Sequence, residues 1–98
     1  MAEEYYPLNV PPAAKQRGGT EILRCAVIED ELHVTLRPGF DDPVGWGRVF
    51  AEAARQVARA YAHEKRFTEA EALRRIVTTF EGDMRTPPGT TGEISPLK

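Results

Sequence analysis

Apolar residues recur at every second position in the first half of the chain and at a helical period in the second half, which predicts a hairpin followed by helices. Residues 21–39, EILRCAVIEDELHVTLRPG, contain two runs rich in Ile, Leu and Val around an acidic turn. One face of the first strand has Leu23, Cys25 and Val27, and one face of the second has Leu32, Val34 and Leu36. A two-residue turn at Asp30-Glu31 brings the two sets to the same face, and a turn one residue earlier fits almost as well. The sequence leaves both registers open.

The opposite face of this hairpin is only half polar. Its apolar residues are Ile22, Ala26 and Ile28, and they lie among Arg24, His33, Thr35 and Arg37. A lone hairpin is marginally stable in water, and its outer edges carry unpaired backbone groups. We therefore expect a second copy to cover or extend the sheet, with Ile22, Ala26 and Ile28 as the candidate dimer interface.

A long helix is predicted from Asp42-Pro43 to about Glu64, because aspartate can accept the first free amides and proline suits the first helical position. Its large apolar side chains share one arc, which predicts a core face: Trp46, Val49, Phe50, Ala53, Val57, Ala60 and Tyr61. A second stripe of small residues lets another backbone approach closely: Gly47, Ala51, Ala54, Ala58 and Ala62. Gly45 lies off this stripe and has no explanation at this point.

A three-residue link leads to a second helix, in which Thr68 and Glu71 form a capping box. Its apolar arc consists of Leu73, Ile76, Val77, Phe80 and Met84. So short a link makes the two helices antiparallel neighbours. We expect this helical hairpin to lie on one face of the sheet.

These elements predict an α+β fold in which a β-hairpin precedes an antiparallel α-hairpin (ββαα) and which dimerises through the sheet. The predicted organisation is a flexible N-terminal arm over residues 1–19, one domain over 20–84 and a flexible tail over 85–98, because both ends are rich in Pro and Gly without apolar periodicity. A core of this size buries only about 60% of the surface that the unfolded chain exposes, which also favours self-association.

Three stretches in order, DDPVGWG, VARAYA and EALRRIVTTF, resemble a family of small proteobacterial proteins known as domain of unknown function 5076. The matching residues are Asp42, Pro43, Trp46 and Gly47, then Val57, Ala58, Ala60 and Tyr61, then Ala72, Leu73, Arg75 and Ile76. The family pattern has a histidine where this chain has Gln56. The resemblance implies a similar shape and no assigned activity, and the shared residues are mostly those predicted to pack.

The sequence predicts no catalytic residues, no metal site and no cofactor. His33 and His63 are the only histidines, and no pair of residues has the spacing of metal ligands. The single cysteine, Cys25, lies among apolar strand residues, and a buried cysteine in such company is unreactive. An enzyme whose site forms between subunits, lined by Arg24, His33 and Arg37, is the weaker alternative.

One basic surface could bind an acidic partner or nucleic acid. It comprises Arg48, Arg55 and Arg59 on the polar side of the first long helix, extended by Lys65 and Arg66. Against this function stand Glu52 and Glu64 in the same row and a net charge of -2. A solvated helix face is the preferred interpretation.

The predicted location is the bacterial cytoplasm, because the acidic start MAEE is unlike a signal peptide and no apolar stretch approaches the roughly 20 residues that span a bilayer. The predicted function is that of a non-enzymatic homodimeric binding or accessory protein, with a further unidentified protein partner as an option. Nucleic acid and membranes are not expected partners.

Overall fold

The computed structural model describes residues 4–86 and confirms the order of a β-hairpin followed by two antiparallel helices in an α+β fold. The elements are α1 (Pro12–Arg17), β1 (Leu23–Ile28), β2 (Glu31–Leu36), α2 (Val44–His63) and α3 (Glu69–Met84). Residues 87–98, most of the predicted tail, lie outside the described part. The sequence pattern does not predict α1, which begins with Pro12 at the first helical position, where proline is tolerated, and ends at Arg17, followed by the C-cap Gly18 with φ at 76°.

The hairpin turns at Glu29-Asp30, the earlier of the two registers that the sequence allowed. Cys25 pairs with Val34 and Val27 with Leu32. Glu29 and Asp30 have φ values of 51° and 66°. Positive φ at both central residues is the signature of a type I′ turn, whose twist matches that of the strands.

Helix α2 begins as predicted, with the Asp42 Oδ1 atom accepting the Val44 N–H at 2.9 Å. The Phe40 ring lies over the first turn, and a Cβ atom added to Gly45 would come within 2.6 Å of it. The Trp46 ring packs edge-on against Phe40 with centroids 6.0 Å apart, and its Nε1 donates to the Pro38 carbonyl at 2.7 Å. Gly45 is therefore required by the Phe40 ring, which anchors the loop from β2 onto α2.

The link between α2 and α3 is a Schellman motif. The Arg66 N–H donates to the Tyr61 carbonyl at 3.2 Å, and the Lys65 N–H donates to the Ala62 carbonyl at 2.9 Å. Lys65 takes the left-handed position of this motif, with φ at 61°. The next helix starts at once, because the Thr68 Oγ1 atom accepts the Glu71 N–H at 3.1 Å. This is one half of the predicted capping box.

Helices α2 and α3 pack through small residues, and the predicted core face of α2 is largely exposed. Among residues 4–86 the only buried apolar side chains are Ala58 (0% exposed) and Ala72 (4%). Ala58 belongs to the small-residue stripe, whereas Phe50 and Val57 of the predicted core face are each 45% exposed. The prediction of a core face was wrong for a single chain, because α3 approaches on the side where small side chains permit close contact. Gly47 is not part of that contact, since a Cβ atom there would meet nothing within 4 Å.

Neither strand packs on a helix within the described part of the chain. The expected layer of helices over the sheet is therefore not formed by residues 4–86. The radius of gyration, 15.5 Å, exceeds the roughly 13 Å of a compact domain of about 100 residues. The hairpin and the helices therefore leave each other's apolar surfaces exposed.

Candidate functional site

The first candidate surface is the apolar side of the β-hairpin, which we call the hairpin face. It consists of Leu23, Cys25, Val27, Leu32, Val34 and Leu36, which the register places on one side of the sheet. Leu36 is 59% exposed and Val34 46%. Cys25 is also exposed, which corrects the prediction of a buried thiol and follows from the missing helix layer. The hairpin face is an apolar sheet surface without a covering layer.

The second candidate surface is a concavity of about 770 Å³ along α3, which we call the α3 groove. Its lining consists of Tyr61, Phe67, Ala72, Arg75, Ile76, Thr79, Phe80, Asp83 and Met84. Most of these residues recur at three- and four-residue spacings on one side of α3, and Tyr61 and Phe67 close one end. The groove is predominantly apolar, and Met84 at its far end is 70% exposed.

Charged groups are distributed unevenly along the α3 groove. At the Phe67 end the Arg75 guanidinium stacks on the Phe67 ring at 4.9 Å, and that of Arg66 lies 5.6 Å from the Tyr61 ring centre. Asp83 lies two helical turns beyond Arg75 and makes no ion pair with another described residue. The groove therefore has a basic end and an acidic end.

The carboxylate of Glu71 fixes the arginines beside the groove. Arg74 donates to it at 2.6 Å and Arg75 at 2.9 Å. These hydrogen bonds lower the pKa of Glu71, and the bond from Arg74 has the larger effect. The hydrogen bond to Glu71 in turn raises the pKa of Arg74. Glu71 thus holds Arg75 in place while Arg75 covers Phe67.

The predicted basic surface is exposed but largely paired. Three of its members lie near carboxylates: Arg55 is 3.7 Å from Glu52, Arg59 is 3.8 Å from Glu69, and Arg66 is 3.4 Å from Glu64. Arg48 and Lys65 make no such pair within residues 4–86. The structure brings Arg48, Arg55 and Arg59 to one side of α2, with much of their charge balanced nearby.

The polar side of the hairpin holds the residues considered for a site between subunits. Arg24 lies opposite Thr35 and His33 opposite Ala26, so Arg24 and His33 share one side of the sheet. The Arg24 guanidinium donates to Glu21 at 3.0 Å, and the Tyr5 hydroxyl and the Glu21 carboxylate raise the pKa of Arg24. In the described part of the chain, no three side chains of His, Cys, Asp or Glu converge as metal ligands would.

The sequence predicts the apolar arc of α3 but not the groove. Ile76, Phe80 and Met84 carry the signal, which is their helical spacing. Helical spacing shows that a face is apolar and leaves open what covers it. In the sequence Phe67 belongs only to the three-residue link over residues 65–67, whereas in the structure its ring closes the groove by packing against Tyr61 with centroids 5.9 Å apart.

No helix formed by residues 4–86 is both long and apolar enough to cross a lipid bilayer.

Comparison with known proteins identifies a family and a similar structure. A family model described as "Domain of unknown function (DUF5076)" matches residues 7–88. A solved structure, described as that of "a putative pyruvate dehydrogenase" from the photosynthetic bacterium Rhodopseudomonas palustrus CGA009, is 34% identical in sequence, with a TM-score of 0.73. The similarity covers 97% of this chain and all of that one. No curated protein matches. The family model spans most of the sequence, and the chain therefore belongs to the DUF5076 family, a family whose function is unknown.

Proposed function

We propose that this protein acts as a homodimeric binding or accessory protein of the bacterial cytoplasm rather than as an enzyme. The observation that carries the proposal is the hairpin face, an apolar sheet surface on which no helix or strand of residues 4–86 packs. A sheet with an apolar face is stable when another element buries that face. A second copy can supply that element.

Two sides of the hairpin compete as the contact between copies. The sequence assigned the contact to Ile22, Ala26 and Ile28, and that assignment stays a prediction. Ile22 lies against Gly39, where an added Cβ atom would come within 3.1 Å of its Cγ2 atom, so part of that side is already in use. The hairpin face is apolar along its whole length, and we therefore favour it as the contact between copies.

The mass in solution tests the proposal. One chain is 10.9 kDa, and light scattering after gel filtration at two protein concentrations should give twice that value. Val34 and Ile28 form a matched pair for locating the contact, because both are β-branched, each is 46% exposed, and they lie on opposite sides of the sheet. Val34→Glu should give monomers and Ile28→Glu should not. Monomeric wild-type protein at both concentrations would refute the dimer.

The description of the similar structure suggests a second function, that of a pyruvate dehydrogenase. Oxidation of a 2-keto acid requires a cofactor as electron sink, and the protein must bind and orient it. No cluster of metal-ligand residues and no glycine-rich phosphate loop is present in residues 4–86. We therefore favour the accessory function. Pyruvate-dependent reduction of an electron acceptor by the purified protein would reverse that preference.

The basic surface offers a third function, binding of nucleic acid or of an acidic protein. Its nearby carboxylates reduce the net field that such a partner would meet. Retention on heparin at low salt tests it, with Arg48→Glu as the variant because Arg48 makes no ion pair within the described residues. Elution of the wild-type protein in the void volume would dispose of this function.

A further inference from the structure

We propose that the α3 groove of one copy binds the hairpin face of the other, so that two identical sheet-on-helix contacts hold the dimer together. The inference rests on the proposed dimer and names its contact surfaces. It also places Cys25 against the partner's α3, which makes the arrangement accessible to chemical cross-linking.

The exposed areas favour this pairing over contact between two hairpin faces. Leu32, Val34 and Leu36 are each about half exposed. Even at about 100 Å² for each of its six residues, the hairpin face offers at most roughly 600 Å², below the ~800 Å² that each partner buries in a stable interface. The groove adds Tyr61, Phe67, Phe80 and Met84, which are 38%, 37%, 51% and 70% exposed and therefore offer roughly 100 Å² each. Together the two surfaces approach the required area, and neither reaches it alone.

The dimensions of the two surfaces also match. Each hairpin strand has six residues, which at about 3.3 Å per residue span roughly 20 Å. The groove follows α3 from Ala72 to Met84, about 18 Å at 1.5 Å per residue. One hairpin therefore fills the length of one groove.

Charge sets the direction of the contact. The hairpin is acidic at its turn, where Glu29, Asp30 and Glu31 follow one another, and basic at its open end, where Arg37 lies. The groove is basic at Arg75 and acidic at Asp83. Opposite charges meet when the turn lies toward Arg75 and the open end toward Asp83. In the reverse orientation, like charges would face each other at both ends of the groove and repel. Cys25, near the middle of β1, then comes close to Thr79, midway between Arg75 and Asp83.

Cross-linking through Cys25, the only cysteine of the chain, tests this arrangement. A variant with Cys25→Ser and Thr79→Cys is mixed with wild-type protein, allowed to exchange, and treated with a mild oxidant or a short bismaleimide. The expected product is a covalent heterodimer that joins Cys25 of one chain to position 79 of the other. The matched control carries Cys25→Ser and Val57→Cys, since Val57 is also half exposed but lies on α2. It should give little product.

The outcomes separate the two proposals. Efficient cross-linking of wild-type protein to itself through Cys25, or preferential cross-linking to position 57, would overturn the groove contact and leave the dimer standing. A dimer by light scattering with no product at position 79 would also overturn it. Monomers at every concentration would remove the dimer itself. A second variant, Phe80→Asp, should raise the dissociation constant of the dimer at least tenfold, and at concentrations where it is still dimeric its helical content should equal that of the wild-type protein.

Discussion

Gly45 and Gly47 stand on either side of Trp46, and the structure assigns them different roles. A methyl group at position 45 would overlap the Phe40 ring, whereas one at position 47 would enter open space. We expect Gly45→Ala to destabilise the protein by about 1–3 kcal/mol, because the ring must move out of its contact with Trp46. Thermal unfolding measures this effect.

Gly47→Ala is the matched control for Gly45→Ala, because Gly47 lies directly on the other side of Trp46. It should stabilise the protein by about 0.5–1 kcal/mol, since alanine loses less backbone entropy in a helix. Equal shifts in melting temperature for the two variants would show that the Phe40 ring does not constrain position 45. The sequence predicted a packing role for Gly47 and left Gly45 unexplained, because a helical wheel places Gly47 on the small-residue stripe but contains no information about the loop that lies over Gly45.

Lys65 provides another test at the scale of one residue. It occupies the left-handed position of the Schellman motif, where glycine is the usual residue. Lys65→Gly should stabilise the protein by about 1 kcal/mol, because a Cβ atom at positive φ is unfavourable. Lys65→Ala removes the same charge but keeps the Cβ atom. If the alanine variant were stabilised as much as the glycine variant, the gain would come from the charge instead of the backbone.

At the scale of the element, the hairpin has a type I′ turn made of two residues that seldom adopt positive φ. Replacing Glu29 by Asn and Asp30 by Gly supplies the dipeptide that this turn favours. We expect the hairpin to gain about 1 kcal/mol, measured by slower hydrogen exchange of the amides that pair β1 with β2. Glu29→Gln serves as the control for lost charge, and an equal gain in that variant would contradict the backbone explanation.

The Glu71 carboxylate, at the start of α3, makes the stability of the protein depend on pH. Its pKa lies below the ordinary value of 4.5 in the folded chain, because Arg74 and Arg75 donate to its carboxylate. As the pH falls, the Glu71 carboxylate therefore takes up a proton at a higher pH in the unfolded chain than in the folded one. The stabilisation is complete above about pH 4.5 and is lost as the pH drops through the lower folded pKa. The melting temperature of Glu71→Gln should be lower than wild type at pH 7, and the two should converge in acid.

Glu52→Gln is the control for this pH dependence. Glu52 is exposed and its nearest guanidinium, that of Arg55, is 3.7 Å away, so its ion pair contributes little. Its melting curve should follow wild type from pH 7 into acid. If the melting temperatures of wild type and Glu71→Gln still differed by the same amount below pH 3, the side-chain shape of Glu71, and not its charge, would stabilise α3.

The sequence predicted the elements better than it predicted their packing. The capping groups Asp42 and Thr68 and the strand alternation act over a few residues, so the helix starts and the shared apolar face of the two strands could be derived, whereas the choice between two turn registers could not. The contact of α3 with Ala58 depends on which of two apolar faces of α2 it meets, and both were visible on the same helical wheel. The exposed hairpin face depends on the course of the loop over residues 37–43, where Phe40 packs on Trp46, and the α3 groove depends on the packing of Phe67 on Tyr61; no periodicity describes either contact.

At the scale of the whole molecule, the described chain contains too little core to account for its own stability. Its only buried apolar side chains are two alanines, while aromatic and aliphatic side chains on the hairpin, α2 and α3 remain about half exposed. Small domains with little buried apolar area need further stabilisation, and association with a second copy supplies it. Folding and dimerisation should then be coupled.

Coupled folding makes stability depend on protein concentration. Each tenfold increase in concentration should favour the folded dimer by about 1.4 kcal/mol, which corresponds to a rise of a few degrees in melting temperature. The measurement is thermal unfolding by circular dichroism over a hundredfold range of concentration, with scans repeated at two heating rates to exclude aggregation. Val34→Glu, which places a charge on the hairpin face, should melt lower and lose the concentration dependence, whereas Ile28→Glu should keep it. A wild-type melting temperature that stays constant over that range would mean that the single chain is stable as it stands, and the hairpin face would then be open to a different partner.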